Sequence, residues 1–255
     1  MSKSEQNIQF FHIDETDSTN IAIQKLATET NPKTIYVLQS DYQTAGRGQK
    51  GSSWESERGK NLLFSTMLWP RGIEVGRQFR LSQAMALAIC AELNNIQPGF
   101  TIKWPNDIYY HEKKVSGTII ETTWRGNMVN RCILGIGINV NQTTFRSDAP
   151  NPASLIQITG QETNIPHLLR AIMRRFAQQI EALADGNEEE LATQYHNHLI
   201  WRDGIHTYRD AQGQFQASLI GIEPDGHLLL LDTEGRQHRY LFKEVKHIFH
   251  TIICD

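Results

Sequence analysis

The sequence has few cysteines, no long apolar segment and no excess of positive charge. Three cysteines occur in 255 residues without paired spacing, which argues against a disulfide framework or a zinc-finger pattern. The longest apolar run, residues 84–91, is too short to cross a bilayer, and the polar first residues do not resemble a secretory signal. A net charge of −3 does not favour bulk binding to nucleic acid. These absences predict a cytoplasmic protein without membrane segments.

Three short polar segments stand out against this background. The first is a glycine-rich cationic loop that reads Gly46-Arg47-Gly48-Gln49-Lys50-Gly51-Ser52-Ser53-Trp54. The second is Lys103-Trp104-Pro105-Asn106-Asp107, and the third is Lys114-Val115-Ser116-Gly117. Together they supply a cationic loop, a stiff polar turn and a lysine that opens a strand. These are the parts needed to activate a carboxylic acid with a nucleotide, because two anions must be brought together and their charge cancelled.

The glycine-rich loop has several competing interpretations. Its glycine spacing matches the dinucleotide-binding fingerprint, but that motif needs a helix directly after it, and a strand-like run over residues 61–68 follows instead. A P-loop is excluded because Ser52 and Ser53 stand where Lys and Ser/Thr are required, and a kinase loop lacks its later partner motifs. A solvated surface loop remains open, as does an anion-binding loop in which Arg47 and Lys50 hold a phosphate.

The hydrophobic pattern predicts a larger α/β part followed by a small all-β part. Strands are predicted over residues 7–13, 34–39, 62–68, 100–104, 108–110, 114–123 and 128–140, and helices over residues 21–28, 81–93, 166–183 and 188–199. From about Ile205, short strands alternate with Asp-Gly and Glu-Gly turns. We therefore predict a catalytic domain over residues 1–200 and a small barrel over residues 201–255.

The motifs resemble those of the biotin protein ligases, also called biotin–[acetyl-CoA-carboxylase] ligases. Five segments carry the resemblance in order, and they extend over nearly the whole chain: Asp17-Ser18-Thr19-Asn20, Gln43 to Gly48, Lys103 to Asp107, Lys114 to Gly117, and Gly135 to Asn141. The resemblance implies a mixed β-sheet flanked by helices, of the class II aminoacyl-tRNA synthetase-like type, followed by an SH3-like β-barrel. Because Ser18 lies near the first residue, it also implies a short form without the N-terminal DNA-binding domain, so no specific DNA binding is expected.

The same resemblance implies a two-step reaction and its partners. Biotin and ATP first form biotinyl-5′-AMP and pyrophosphate, with Mg²⁺ as the metal ion. A lysine of the biotin carboxyl-carrier protein of acetyl-CoA carboxylase, or of a related carboxylase, then takes the biotin and releases AMP. The family relation also leaves room for a homodimer.

The resemblance further implies roles for individual residues. The expected catalytic residues are Lys114, Arg47 and Asp107, with Lys114 between the carboxylate of biotin and the α-phosphate. The expected biotin contacts are Ser18, Thr19, Asn20, Gln43, Arg47, Gly48, Gln49, Lys114 and Gly117. The expected ATP or adenylate contacts are Gly46, Arg47, Lys50, Trp54, Lys103, Asn106 and Asn139. Mg²⁺ is expected to bind through the phosphates, with Asn106 and Asp107 as candidate protein ligands.

Each of these roles has a plainer alternative. Residues 18–20 also suit a helix N-cap, Trp54 suits a core or lid anchor, and Asp107 suits a turn. Gly135 and Gly137 are expected to leave room for a ligand against the backbone. Two other functions stay open from sequence alone, namely a lipoate–protein ligase or octanoyltransferase, and a biotin sensor without catalytic activity.

Overall fold

The chain forms two β-sheets, a larger one from its first part and a smaller one from its last part. The computed structural model describes residues 7–26, 30–48, 53–146 and 151–249. The larger sheet has seven strands in the order β1-β2-β3-β7-β6-β5-β4. Its strands are β1 (Asn7–Thr16), β2 (Thr34–Gln43), β3 (Leu62–Leu68), β4 (Phe100–Lys103), β5 (Asp107–Tyr110), β6 (Lys113–Arg125) and β7 (Met128–Ile138). Because β1 and β2 are parallel while the other neighbours are antiparallel, the predicted mixed sheet is confirmed.

Five helices accompany the sheet. They are α1 (Thr19–Lys25), α2 (Phe79–Ile96), α3 (Leu155–Thr159), α4 (Ile165–Ala184) and α5 (Glu188–Asn197). The helix predicted over residues 81–93 is longer at both ends, and the one predicted to reach Leu199 ends at Asn197. Within the described residues, no helix is both long enough and apolar enough to cross a membrane.

The two faces of the larger sheet are covered unequally. Helices α2 and α4 pack together on one face, and α4 buries an apolar stripe that includes Leu169, Ile172 and Phe176. Asn164 caps α4 by accepting a hydrogen bond from the His167 amide. Within the described part of the chain, the helix on the opposite face is the short α1, whose Ile23 packs in a separate small cluster. The uncovered part of that face is where a ligand can reach the sheet.

The second sheet lies at the C-terminal end. It is fully antiparallel, in the order β11-β10-β9-β8-β12, and consists of β8 (His206–Arg209), β9 (Gln214–Ile222), β10 (Leu228–Asp232), β11 (Gln237–Tyr240) and β12 (Lys246–His247). Among the described residues no backbone pairing joins β11 to β12, so the predicted barrel is observed as a five-stranded sheet without a closed ring. Its buried side chains, Tyr208 and Leu230 among them, belong to the same apolar cluster as the main core. The predicted boundary between residues 200 and 201 stays a prediction.

We expect stability to fall as the pH drops below about 6.5 because His247 is held neutral in the fold. Burial, with smaller effects of Lys103 and His206, lowers the pKa of His247 from 6.5 to about 3. Between these two values the unfolded chain binds a proton that the folded chain excludes, so stability is complete above the unfolded pKa and declines toward pH 3. Urea-unfolding midpoints at pH 7.5 and pH 5 measure this loss.

The matched variant for this experiment is His247→Phe. The ring of His247 lies 5.0 Å from that of Trp201 and 5.1 Å from that of Tyr208, so a phenyl ring suits the site. The variant should show a smaller difference in midpoint between the two pH values. An equal difference in both proteins would assign the pH dependence to other groups.

Candidate active site

Three glycines form a shallow floor on the ligand-accessible face of the larger sheet. Gly117 of β6 pairs directly with Gly137 of β7, and Gly135 lies two residues away on the same face. We call these three residues the glycine floor. A Cβ atom on Gly137 would come within 2.4 Å of Cε2 of Trp54, and one on Gly117 within 3.2 Å of its Cζ3. The indole of Trp54 therefore lies directly on the floor, and its Nε1 is buried without a hydrogen-bond partner among the described atoms.

The cationic loop is closed at its base by backbone pairing. The Trp54 amide donates to the Gly46 carbonyl at 3.0 Å, and Arg47 forms an antiparallel bridge with Ser53. A Cβ on Gly46 would lie 2.8 Å from the Trp54 carbonyl oxygen, so glycine is required for this close approach. Gly48 is half-buried, and Arg47 is exposed and forms no ion pair with a described residue. Two further predicted site residues, Gln49 and Lys50, lie outside the described residues.

An ion pair lies beside the glycine floor. Lys114 Nζ is 2.6 Å from Asp107 Oδ2, and both side chains are only partly exposed. A Cβ on Gly117 would be 3.3 Å from Lys114 Nζ and 3.3 Å from Asp107 Oδ1. The backbone of Lys114 is fixed by the 151–153 segment, since its amide donates to Asn151 O and its carbonyl accepts from Ala153 N. The structure thus places the two predicted catalytic residues Lys114 and Asp107 together.

A second lysine lies near this pair, on the side of the C-terminal sheet. Lys103 Nζ lies 5.3 Å from the ring centre of Tyr109 and 6.0 Å from that of Phe249. Burial lowers the pKa of Lys103, while Asp107 raises it and Lys114 lowers it further. Two lysines around one carboxylate leave a net positive charge, which suits an anionic ligand.

The polar turn between these residues is held from two sides. The Trp104–Pro105 peptide bond is cis, and Trp104 Nε1 donates to the Gly226 carbonyl of the C-terminal sheet at 2.9 Å. The Tyr195 hydroxyl of α5 donates to the Pro105 carbonyl at 2.5 Å. Burial, together with Asp107, raises the pKa of Tyr195 well above its usual value, so it stays a hydrogen-bond donor. Asn106, in the middle of this turn, is buried.

A polar wall, formed by Ser18, Thr19, Asn20 and Gln43, borders the floor. The first three side chains are buried, and Gln43 Oε1 accepts from Thr19 N at 2.8 Å and lies 3.1 Å from Thr19 Oγ1. Ser18 occupies the N-cap position of α1 but makes no capping hydrogen bond with its side chain. Side-chain capping of α1 therefore does not explain why a serine is found at position 18.

Sequence reasoning missed residues that support the wall from behind. Ser65 of β3 donates to Asn20 Oδ1 at 2.5 Å, and Glu121 of β6 accepts from Asn20 Nδ2 at 3.0 Å. A Cβ on Gly135 would come within 2.2 Å of Asn20 Oδ1. In the structure the space above Gly135 is therefore filled by Asn20, as that above Gly137 is filled by Trp54. One signal was available for Ser65, a hydroxyl residue inside an otherwise apolar buried strand.

Asn139 follows β7 and lies near the Lys114 segment. Its amide donates to Val115 O at 2.9 Å, and its Nδ2 donates to the carbonyl of Ala153 at 3.1 Å. The side chain is buried, so its Oδ1 is the atom it can offer to another group. The described residues of the predicted site thus lie at the start of α1, in β6, and at nearby strand ends and loops.

Comparison with known proteins identifies the family. Residues 13–139 match the Biotin/lipoate A/B protein ligase family. The bifunctional ligase/repressor BirA of Bacillus spizizenii is 31% identical over 245 residues, which cover 89% of this chain and 70% of BirA. The chain belongs to the biotin protein ligase family. The biotin--[acetyl-CoA-carboxylase] ligase of Paracoccus denitrificans is 28% identical over 87% of this ligase and 94% of its own length.

Solved structures agree with this assignment. The biotin protein ligase of Aquifex aeolicus, solved with biotin and ATP, superposes with a TM-score of 0.77 and 26% identity, over 94% of this ligase and 99% of the Aquifex chain. The likeness extends through the second sheet, since coverage is nearly complete. The predicted resemblance and the predicted fold class are therefore confirmed for this biotin protein ligase.

Proposed function

We propose that this ATP-dependent biotin protein ligase binds biotin at the glycine floor, against the polar wall and the indole of Trp54 that covers Gly137, and activates it beside Lys114. The observation that carries the proposal is the Lys114–Asp107 ion pair at the edge of Gly117. The polar wall offers donors and acceptors for the ureido group of biotin, and Trp54 offers an aromatic face for its apolar rings. The carboxylate at the other end of biotin would then meet Lys114.

In the first step, an oxygen of the biotin carboxylate forms a bond to the α-phosphorus of ATP. The bond between that phosphorus and the bridging oxygen breaks, and pyrophosphate leaves with the electron pair. Lys114 neutralises the negative charge that collects between the two anions, and Arg47 holds the phosphate with its forked donors. Lys103 keeps a positive charge near Asp107 when Lys114 turns toward the substrates.

The donor set near the turn fits a magnesium ion that arrives with ATP. Mg²⁺ takes oxygen ligands, commonly one or two carboxylates plus the substrate phosphates. Asp107 provides one carboxylate, and the neighbouring Asn106 and Asn139 have amide oxygens. Bound there, Mg²⁺ would supply further charge neutralisation at the phosphates.

In the second step, the acceptor lysine attacks the acyl carbon of biotinyl-5′-AMP. A carbon–nitrogen bond forms, the carbon–oxygen bond to phosphate breaks, and AMP leaves with that electron pair. Asp107 is the carboxylate placed to take the proton that the amine releases, once Lys114 has turned to the phosphate. We assign the acceptor to a biotin carboxyl-carrier protein of acetyl-CoA carboxylase or a related carboxylase, and this proposal is supported by the name of the Paracoccus relative.

The direct test is ATP-dependent transfer of radiolabelled biotin to an isolated carrier domain. Labelled lipoate in a parallel reaction separates this function from that of a lipoate ligase. Biotin should be transferred and lipoate should not, and binding of biotin without transfer would contradict the proposal. The proposed homodimer and the proposed division into residues 1–200 and 201–255 are tested separately, by light scattering and by limited proteolysis.

We expect Gln49→Arg to slow the release of biotinyl-AMP. Many bacterial members of the family have arginine in this part of the loop, whereas Arg47 and Lys50 are its only cations here. A charge-assisted hydrogen bond exceeds a neutral one by about 1 kcal/mol, so release should slow about fivefold. Stopped-flow measurement of adenylate release compares the two proteins, with Gln49→Asn as the neutral control. Equal rates would mean that the loop holds its ligand by shape and backbone contacts.

A further inference from the structure

A chain of hydrogen-bonded side chains runs from the surface of the larger sheet to the polar wall. It begins at the exposed Glu121, whose Oε1 accepts from Asn20 Nδ2 at 3.0 Å. Asn20 Oδ1 accepts from Ser65 Oγ at 2.5 Å, and Ser65 Oγ lies 2.7 Å from Thr19 Oγ1. Because the single Ser65 proton goes to Asn20, the Thr19 hydroxyl gives its own proton to Ser65 Oγ, and the Thr19 backbone amide donates to Gln43 Oε1 at 2.8 Å. The chain therefore links residues from two strands, a helix and the end of β2.

The direction of these hydrogen bonds is set at the Glu121 end. An ionised carboxylate only accepts, so Asn20 must turn its NH₂ group toward Glu121 and its oxygen toward Ser65. At the other end, Gln43 Oε1 is occupied by Thr19, so Nε2 is the atom left for another partner. This Nε2 lies 3.5 Å from the place that a Cβ on Gly46 would take, at the root of the cationic loop.

Beyond Asn20, the Glu121 carboxylate makes few contacts with the described residues. Its remaining hydrogen bond is from Gln24 Nε2 at 3.4 Å, and no described lysine, arginine or histidine forms an ion pair with it. It is located on the same face of β6 as Ile119 and Gly117, directly across from Ile133 of β7. Asn20, which it holds, needs the open space above Gly135. An unpaired carboxylate at this position is thus explained by the orientation it gives to a buried amide.

We propose that Glu121 is a positioning residue for biotin recognition. It fixes the orientation of the Asn20 amide and, through Ser65, the direction in which the Thr19 hydroxyl of the polar wall donates. The inference rests on the proposed function of the polar wall. Buried polar groups must keep their hydrogen bonds, so a reversed Asn20 amide also reverses the hydrogen bonds of the Ser65 and Thr19 hydroxyls.

The test compares Glu121→Lys with Glu121→Gln. A lysine only donates and would reverse Asn20, whereas the Oε1 of glutamine can still accept from it. We expect Glu121→Lys to raise the KM for biotin about tenfold, with the KM for ATP and kcat changed less than about threefold. Glu121→Gln and the control Gln24→Ala, which removes the other contact of the same carboxylate, should stay within about threefold of the parent for all three constants. Glu121 is exposed, so these changes are compatible with folding, and thermal unfolding of each variant verifies it.

Two outcomes separate this inference from the proposed function. If Gln43→Ala leaves the KM for biotin unchanged, the polar wall does not bind biotin and the proposed site is wrong. If Gln43→Ala raises that KM while Glu121→Lys does not, the site stands and the positioning role is overturned. Equal increases in the KM for biotin and for ATP in Glu121→Lys, with a lower unfolding temperature, would also overturn it, because they indicate a general loss of structure. If Glu121→Lys does not fold, Glu121→Ala takes its place with the same expectation.

Discussion

Lys114→Met is expected to stop the formation of biotinyl-AMP while leaving the fold intact. A Cβ on Gly117 of the glycine floor would lie 3.3 Å from the Lys114 ammonium, and on the proposed mechanism the carboxylate of biotin and the α-phosphate repel each other without this cation. Loss of one such electrostatic contact lowers turnover by about 10²–10³-fold. Methionine keeps the length and apolar stem of the side chain, and the backbone bonds to the 151–153 segment stay available. Release of pyrophosphate from ATP in the presence of biotin measures the step.

The neighbouring Lys113→Met provides a matched control. Lys113 is exposed on the same strand and forms no ion pair with a described residue, so its loss removes the same formal charge outside the site. This variant should retain activity within about twofold, since a solvent-exposed charge is largely screened by water and salt. Pyrophosphate release from Lys114→Met within a few-fold of the parent would rule out the central role given to this residue.

The Lys114–Asp107 ion pair also affects substrate binding. Lys114 Nζ lies 2.6 Å from Asp107 Oδ2, so on the proposed mechanism the two anions compete with that carboxylate for Lys114. Lys103 lowers the free-energy cost of moving Lys114 away from Asp107, because Lys103 itself interacts electrostatically with Asp107. Burial lowers the pKa of Lys103, and the negative charge of Asp107 opposes this shift. The two lysines and the carboxylate therefore act as one electrostatic unit.

Much of the fold could be predicted from local pattern and motif resemblance. The run over residues 62–68 is apolar enough to predict a buried strand, and it forms an interior strand of the larger sheet, between β2 and β7. The strand order could not be read from the sequence, since β7 pairs with the distant strand β3 as well as with its hairpin partner β6. The C-terminal part, predicted as a small SH3-like β-barrel, forms a five-stranded antiparallel sheet whose pairing over the described residues does not close a ring.

In the candidate site too, contacts between residues close in sequence could be predicted, and contacts between distant residues could not. Lys114 and Asp107 are close in sequence on two paired strands, and the predicted motifs brought them together correctly. Tyr195 and Glu121 act through contacts 90 and 101 residues away, which no local pattern indicates. Trp54 was assigned to the adenine of ATP from resemblance, and the structure places its indole on Gly137. Its role in adenylate binding stays a prediction.

Arg47→Ala is expected to weaken binding of biotinyl-AMP much more than binding of ATP. The backbone of Arg47 is fixed by the bridge to Ser53, while its guanidinium forms no ion pair within the described part of the chain. It therefore approaches a phosphate without first breaking an ion pair. Removing one partner of a bidentate phosphate contact in a desolvated site typically costs about 2–5 kcal/mol of binding free energy. The Kd of Arg47→Ala for biotinyl-AMP should therefore rise by at least about 25-fold.

Isothermal titration with a stable adenylate analogue and with ATP separates the two affinities. Arg125→Ala is the matched control, because this exposed arginine ends β6 far along the strand from Gly117. It should leave both affinities unchanged within about twofold. The closed base of the loop explains why the adenylate is the more sensitive ligand: the Trp54 amide ties the loop root to Gly46, and Trp54 itself lies on the glycine floor where biotin is proposed to bind. On the proposed placement of biotin, a ligand that joins biotin to phosphate would contact both Trp54 and Arg47, whereas ATP would contact Arg47 without the biotin contact to Trp54. An unchanged Kd for the adenylate analogue in Arg47→Ala would therefore refute the role of the loop as a phosphate clamp.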